Sequence, residues 1–156
     1  MKQKTDILVT KEGLEELKGE LGELVNKKRP KLVERLKNAR EQGDLSENSD
    51  YESAREELSF IDGRIAELGD ILHDVKVVRV SKKLKNEVGV GSIVTLHVDG
   101  TKHIYKVVGE WEADPADKKI SHTSPIGKAL MGKKVGDEIE VEAPAGKVVY
   151  KILTIK

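Results

Sequence analysis

The chain has 156 residues, room for one compact domain or two small ones. Charged residues make up 36% and hydrophobic residues 37%, with only five aromatics: Tyr51, Phe60, Tyr105, Trp111 and Tyr150. Globular chains usually carry about 25% charge, so the excess points to extended, solvated helices with a high ratio of surface to volume. The absence of cysteine excludes a disulfide scaffold and thiolate metal sites. No apolar run approaches the roughly 18–20 residues that span a bilayer, and the first ten residues, MKQKTDILVT, lack the apolar stretch of a signal peptide. The expectation is a soluble, intracellular protein.

A net charge of zero conceals segregation. Residues 1–75 hold 13 Lys/Arg against 18 Asp/Glu, and residues 76–156 hold 15 against 10. More locally, residues 27–40 contain seven basic residues and one acid, and residues 41–57 contain seven acids and one Arg. Such adjacent blocks suit a solvated helical face, or two ends of one element that meet different partners.

In chain order, Leu14, Leu17, Leu21 and Leu24 form one apolar seam, and Val25, Leu32, Leu36 and Ala39 continue it past Pro30. Proline removes a helical hydrogen bond and crowds the preceding turn, which predicts a kink or register change near residues 27–30. Residues 51–75 carry the most regular pattern: Tyr51, Ala54, Leu58, Ile61, Ile65, Leu68, Leu72 and Val75 alternate steps of three and four, the seam of a left-handed coiled coil. The two seams need each other, and the short link between them favours an antiparallel hairpin. A 28-residue helix rises about 42 Å, so residues 1–77 read as a rod with its turn near residues 41–50. Gly43 suits the position that ends a helix.

The acids of that turn support two readings. Asp44 and Glu47, and again Ser49 and Glu52, have capping-box spacing, and acids in a first turn oppose the helix dipole. Alternatively, Asp44 and Glu47 present two carboxylates together to a hard cation. Mg²⁺ is commonly held by one or two carboxylates completed by water and phosphate oxygens.

After Val75 the period changes to two. Residues 90–98 and 103–108 alternate around the hairpin signal Asp99-Gly100, and residues 138–142 and 148–153 repeat this around Pro144-Ala145-Gly146. Between them, Ser124 is a candidate N-cap with Pro125 at the first helical position, and Gly132 ends the segment. Residues 78–156 read as a small antiparallel sheet with one short helix, and the boundary falls near residues 76–82. The overall class is α+β. Trp111 is most simply a core or domain-packing residue. His73, His97, His103 and His122 lack metal-ligand spacing, although His97 and His103 lie on neighbouring strands. No glycine-rich phosphate loop is present.

Residues 39–51, Ala-Arg-Glu-Gln-Gly-Asp-Leu-Ser-Glu-Asn-Ser-Asp-Tyr, resemble the coiled-coil tip of the bacterial Gre transcript cleavage factors. The resemblance continues through Ala54-Arg55-Glu56 and Gly63-Arg64-Ile65 to residues 124–137, SPIGKALMGKKVGD, and covers essentially the whole chain. Ser49-Asp50 stands where the family more often has Ala-Glu. The resemblance implies a transcription elongation factor, not itself an enzyme. It would enter the secondary channel of RNA polymerase and stimulate Mg²⁺-dependent hydrolysis of the backtracked transcript by the polymerase. Asp44 and Glu47 match the catalytic pair that shares Mg²⁺ with the polymerase. Arg40 and Arg55 match basic positions that contact the displaced RNA 3′ segment. The second half would be FKBP-like and dock at the channel rim through Ser124, Pro125 and Ile126. Some relatives occupy the channel without cleaving RNA, and the fold also suggests prolyl isomerisation as a rival activity. Because the hairpin satisfies its own seams, a monomer is expected.

Overall fold

A computed structural model describes residues 6–44, 47–78 and 86–156. Leu45 and Ser46 of the tip motif, and residues 79–82 of the expected boundary, lie outside the described residues. The chain divides into two compact units, one of residues 15–74 and one of residues 1–14 with 75–156.

The helical unit contains most of α1 (Lys11–Glu23), α2 (Arg29–Glu41) and α3 (Ser49–Asp74), with one π-helical stretch at Leu24–Lys28 joining α1 to α2. The helix therefore runs through Pro30 without a break. Pro30 has no N–H to donate into the preceding turn. The chain widens just before it, with the Arg29 amide bonding to the Leu24 carbonyl five residues back. That insertion changes the phase of the seam. Leu17, Leu24, Leu32 and Ala39 are buried, whereas Val25, expected in the seam, is 42% exposed. On α3, Ala54, Ile61 and Leu68 are buried at seam positions. At its end Ile71 is buried and Leu72 only half-buried, and Val75 has already left the helix for a strand.

α2 and α3 run antiparallel, as their cross-links show by running in opposite order along the chain. Arg64 pairs with Glu20 at 2.8 Å, Arg29 with Asp62 at 2.7 Å, and Arg35 with Glu57 at 2.8 Å and Asp50 at 2.6 Å. The basic and acidic blocks of the sequence thus face each other across the hairpin. The hydrogen bond that Arg35 donates to Asp50, reinforced by Glu57, raises the Arg35 pKa above its ordinary value. The Arg29 and Arg35 pairs are exposed and screened by solvent, so they add little to stability, whereas Arg64–Glu20 is partly buried.

The sheet unit holds the remaining strands. Among the described residues, β3 (Ile93–Val98), β4 (Thr101–Val108), β5 (Lys119–Ser121), β6 (Glu138–Ala143) and β7 (Gly146–Ile155) form a sheet of order β5-β4-β3-β7-β6. The Asp99-Gly100 turn has positive φ at both residues, 48° and 77°, the geometry that matches the twist of a two-residue hairpin. The β6–β7 hairpin closes with Ala143 opposite Gly146. The sheet is mixed rather than wholly antiparallel, because β5 returns alongside β4 in parallel, pairing Val107 with Ile120. A second, parallel pair not foreseen in the sequence joins β1 (Ile7–Val9) to β2 (Val75–Val77).

This pairing lies within the compact unit of residues 1–14 and 75–156. The Glu112 carboxylate reinforces it, accepting from the Thr10 amide at 2.8 Å, the Thr10 hydroxyl and the Gly109 amide at 3.0 Å. Thr10 in turn accepts from the Gly13 amide at 3.1 Å, capping the start of α1. The sheet's core comprises Val88, Val94, Leu96, Val107, Leu130, Ile139 and Ile152, with Tyr105 and Tyr150 packed against it. Trp111 is not a core residue. It sits in a short 3₁₀ turn, Glu110–Glu112, and is 41% exposed.

Candidate functional site at the hairpin tip

Two helix ends build the tip. α2 terminates at Glu41, and the Gln42 amide bonds to the Ala39 carbonyl at 3.3 Å. Gly43 then adopts φ 126°, a conformation that a side chain disfavours, and turns the chain out of the helix. On the other side, α3 begins at Ser49. Its cap is Asn48, whose Oδ1 accepts from the Tyr51 amide at 3.0 Å. The expected capping roles of Asp44 and Ser49 are therefore not what is found, since Asp44 precedes the cap by four residues and Ser49 is already helical. Asp50 and Glu52 lie in the first turn, where the helix dipole favours negative charge.

Asp44 and Glu47 stand exposed in the turn between the two helix ends. Arg40 is exposed in the last turn of α2. Arg55 is also exposed, and its Glu52 partner is no nearer than 3.9 Å. Asp44 and Glu47 thus lie on the turn, and Arg40 and Arg55 on the helices that flank it. Two carboxylates on a turn suit a Mg²⁺ ion that keeps water and phosphate among its ligands. Among the described residues no group of three or more His, Asp or Glu converges as a cage for a metal ion.

Asn48 is the tip residue that sequence reasoning missed. Asparagine ranks among the best N-caps, which was the available signal. The capping-box spacings that begin at Asp44 and Ser49 obscured it.

The segment expected to dock lies in the sheet unit. The Ser124 hydroxyl caps α4 (Pro125–Leu130), accepting from the Gly127 amide at 3.1 Å and donating to the Ser121 carbonyl at 2.6 Å. Pro125 is exposed, whereas Ile126 packs against the sheet core. Gly127 is required by close approach, because a Cβ there would lie 1.9 Å from the Ser121 carbonyl oxygen. His97 pairs with Lys102, and His103 with Leu96 one position along, so the two imidazoles project from opposite faces of the sheet.

Both halves of the chain are similar to known proteins. The N-terminal domain of transcription elongation factors matches residues 7–77, and the GreA/GreB C-terminal domain matches residues 83–156. The transcription elongation factor GreA of Lactococcus lactis subsp. cremoris (strain MG1363) is 45% identical over 149 residues, 94% of this chain and 96% of its own length. GreA of Caldanaerobacter subterraneus subsp. tengcongensis is 46% identical over 152 residues, 96% of this chain and 97% of its own. Among solved structures, GreA factor homolog 1 (Gfh1) of Thermus thermophilus is 30% identical, covering 97% of this chain and 99% of that one, with a TM-score of 0.46. No described helix is long and apolar enough to cross a membrane.

Proposed function

Because the chain belongs to the GreA/GreB family of transcription elongation factors, we propose that its hairpin enters the secondary channel of bacterial RNA polymerase and stimulates cleavage of backtracked transcripts. The observation that carries this reading is the exposure of Asp44 and Glu47 together in the turn, with the capping duty taken by Asn48. A protein that offers only two carboxylates needs a partner to complete a cation site, and the polymerase active centre supplies one. A Mg²⁺ ion shared with that centre would supply water activation and charge neutralisation at the leaving oxygen. Asp44 and Glu47 would hold the shared ion from the protein side, and a carboxylate oxygen can orient the attacking water. The factor is then not itself an enzyme.

Arg40 and Arg55 serve to attract the displaced RNA 3′ segment. Arg55→Ala is expected to weaken engagement of backtracked complexes several-fold at low ionic strength. The difference should close as salt shortens the Debye length toward about 8 Å. Titrating cleavage against factor concentration at several salt concentrations checks this, and a deficit that ignores salt removes the assignment. The basic residues of 27–37 contribute less to such attraction than their number suggests, because Arg29 and Arg35 are engaged with α3.

Pro125, exposed at the first position of α4, is the docking contact at the channel rim, with Ser124 and Ile126 fixing its backbone. Pro125→Ala should lower polymerase affinity and leave the maximal cleavage rate unchanged. Its cost in stability should stay within about 1 kcal/mol, since the first helical position tolerates both residues. Unchanged affinity would refute the docking role.

The direct test adds the protein to stalled, backtracked polymerase with Mg²⁺. Release of short 3′ RNA supports cleavage. Binding without RNA release points instead to a channel occupant that inhibits or modulates the polymerase.

A further inference from the structure

The Asn48 side chain makes two hydrogen bonds of different kinds. Its Oδ1 accepts from the Tyr51 amide at 3.0 Å, within the first turn of α3. Its Nδ2 donates to the Ala39 carbonyl at 2.6 Å, nine residues back in the last turn of α2. Each partner dictates the amide's orientation, because an N–H must meet the oxygen and a carbonyl must meet the nitrogen. The Ala39 carbonyl lies in the last turn of α2, where it also accepts from the Gln42 amide at 3.3 Å, and Ala39 itself is fully buried in the hairpin. One half-buried side chain therefore ties the end of α2 to the start of α3. Asp44 and Glu47 lie on the turn closed by this tie. Glu47 is bonded directly to the clamp residue, and Asp44 follows Gly43, whose freedom at φ 126° would otherwise loosen the turn.

We infer that Asn48 is a positioning residue, whose bond to Ala39 holds Asp44 and Glu47 at the separation needed to share one cation. The cap alone requires only the Oδ1 contact; the Nδ2 contact adds nothing to α3 and acts on the turn. This inference rests on the proposed cleavage role. Misplacing a reacting group by about 1 Å can cost about 100-fold in rate, so a clamp at the base of a two-carboxylate turn bears directly on activity.

Asn48→Ser separates the two functions. Serine caps a helix as well as asparagine does, but its shorter side chain cannot cap α3 and reach Ala39 together. Asn48→Asp is a second variant of the same size, which keeps the capping oxygen and replaces the donor with an acceptor facing the Ala39 carbonyl. Three measurements apply to both variants and the wild type: thermal melting, ¹⁵N relaxation of the free protein, and transcript cleavage at limiting and saturating Mg²⁺. The expected result for Asn48→Ser is an unchanged melt, with backbone order parameters at Asp44 and Glu47 falling from about 0.85 toward 0.6. Cleavage at limiting Mg²⁺ should drop about tenfold or more and recover in part at high Mg²⁺. Wild-type order parameters, or a wild-type Mg²⁺ requirement, would overturn the inference. If the serine variant melts early, the aspartate variant decides by the same criteria. Should the wild type itself release no RNA, the cleavage role fails, while the relaxation data still decide whether Asn48 orders the turn.

Discussion

Replacing Asp44 or Glu47 with alanine is expected to reduce transcript cleavage by about 100-fold or more while leaving the hairpin folded and polymerase binding nearly intact. The magnitude follows from charge. A carboxylate that contributes about 3 kcal/mol to a shared ion in the transition state is worth about two powers of ten in rate. The selectivity follows from position: both residues are exposed on the turn, outside the buried seams, and Asn48 caps α3. Surface changes of this kind usually alter stability by no more than about 0.5 kcal/mol. Cleavage in stalled complexes, circular dichroism melting and competition for the polymerase together check the prediction. A variant that loses helix content along with activity would show that the acids serve the fold rather than the chemistry. The double variant should be little worse than either single one, because two ligands of one ion act as a unit.

The second large effect is on stability and contrasts two apolar residues of α3. Leu68→Ala should cost about 2–5 kcal/mol, because Leu68 is fully buried and truncation leaves a cavity as well as lost transfer energy. Phe60→Ala, which removes the larger side chain, should cost no more than about 0.5 kcal/mol, because Phe60 is 77% exposed. Urea denaturation of the two variants gives the comparison. Similar midpoints would mean that Phe60 is covered in solution or that the unit repacks around residue 68. The contrast isolates the governing variable, since seam position rather than hydrophobicity decides the contribution.

Position was readable along α3 because helical periodicity is a local property. Ala54, Ile61 and Leu68 are buried where the steps of three and four place them. The same reasoning failed at Val25 and Leu72. Before Pro30, a kink and a π-helical insertion both satisfy the missing N–H, but only the insertion moves the apolar stripe by one residue. At the far end, the exchange of Leu72 for Ile71 accompanies the end of the helix at Asp74, where the chain is drawn into β2 by its pairing with β1. The charge blocks were equally visible and equally ambiguous. Only folding back the hairpin shows that Arg29 and Arg35 face Asp62, Asp50 and Glu57.

At the tip, the two carboxylates stood out from residue type and spacing, and the family resemblance attached chemistry to them and to Arg40 and Arg55. Asn48 did not stand out, because an N-cap is identified only when the first helical residue is known, and a single residue's shift reassigns it. Its bond to Ala39 also crosses from one helix to the other, which no pattern along one helix reports.

The sequence by itself determined the helical hairpin, the change of period near Val75, the β3–β4 and β6–β7 hairpins, the Ser124 cap and the exposed acids at the turn. All of these depend on contacts or conformational preferences within a few residues. The tertiary structure alone decided the parallel pairings of β1 with β2 and β4 with β5, the bond of Glu112 to Thr10 across 102 residues, the exposure of Trp111 and the Asn48 clamp. Strands of three residues carry too little periodicity to announce themselves, and they exist because distant backbone groups meet and must be paired.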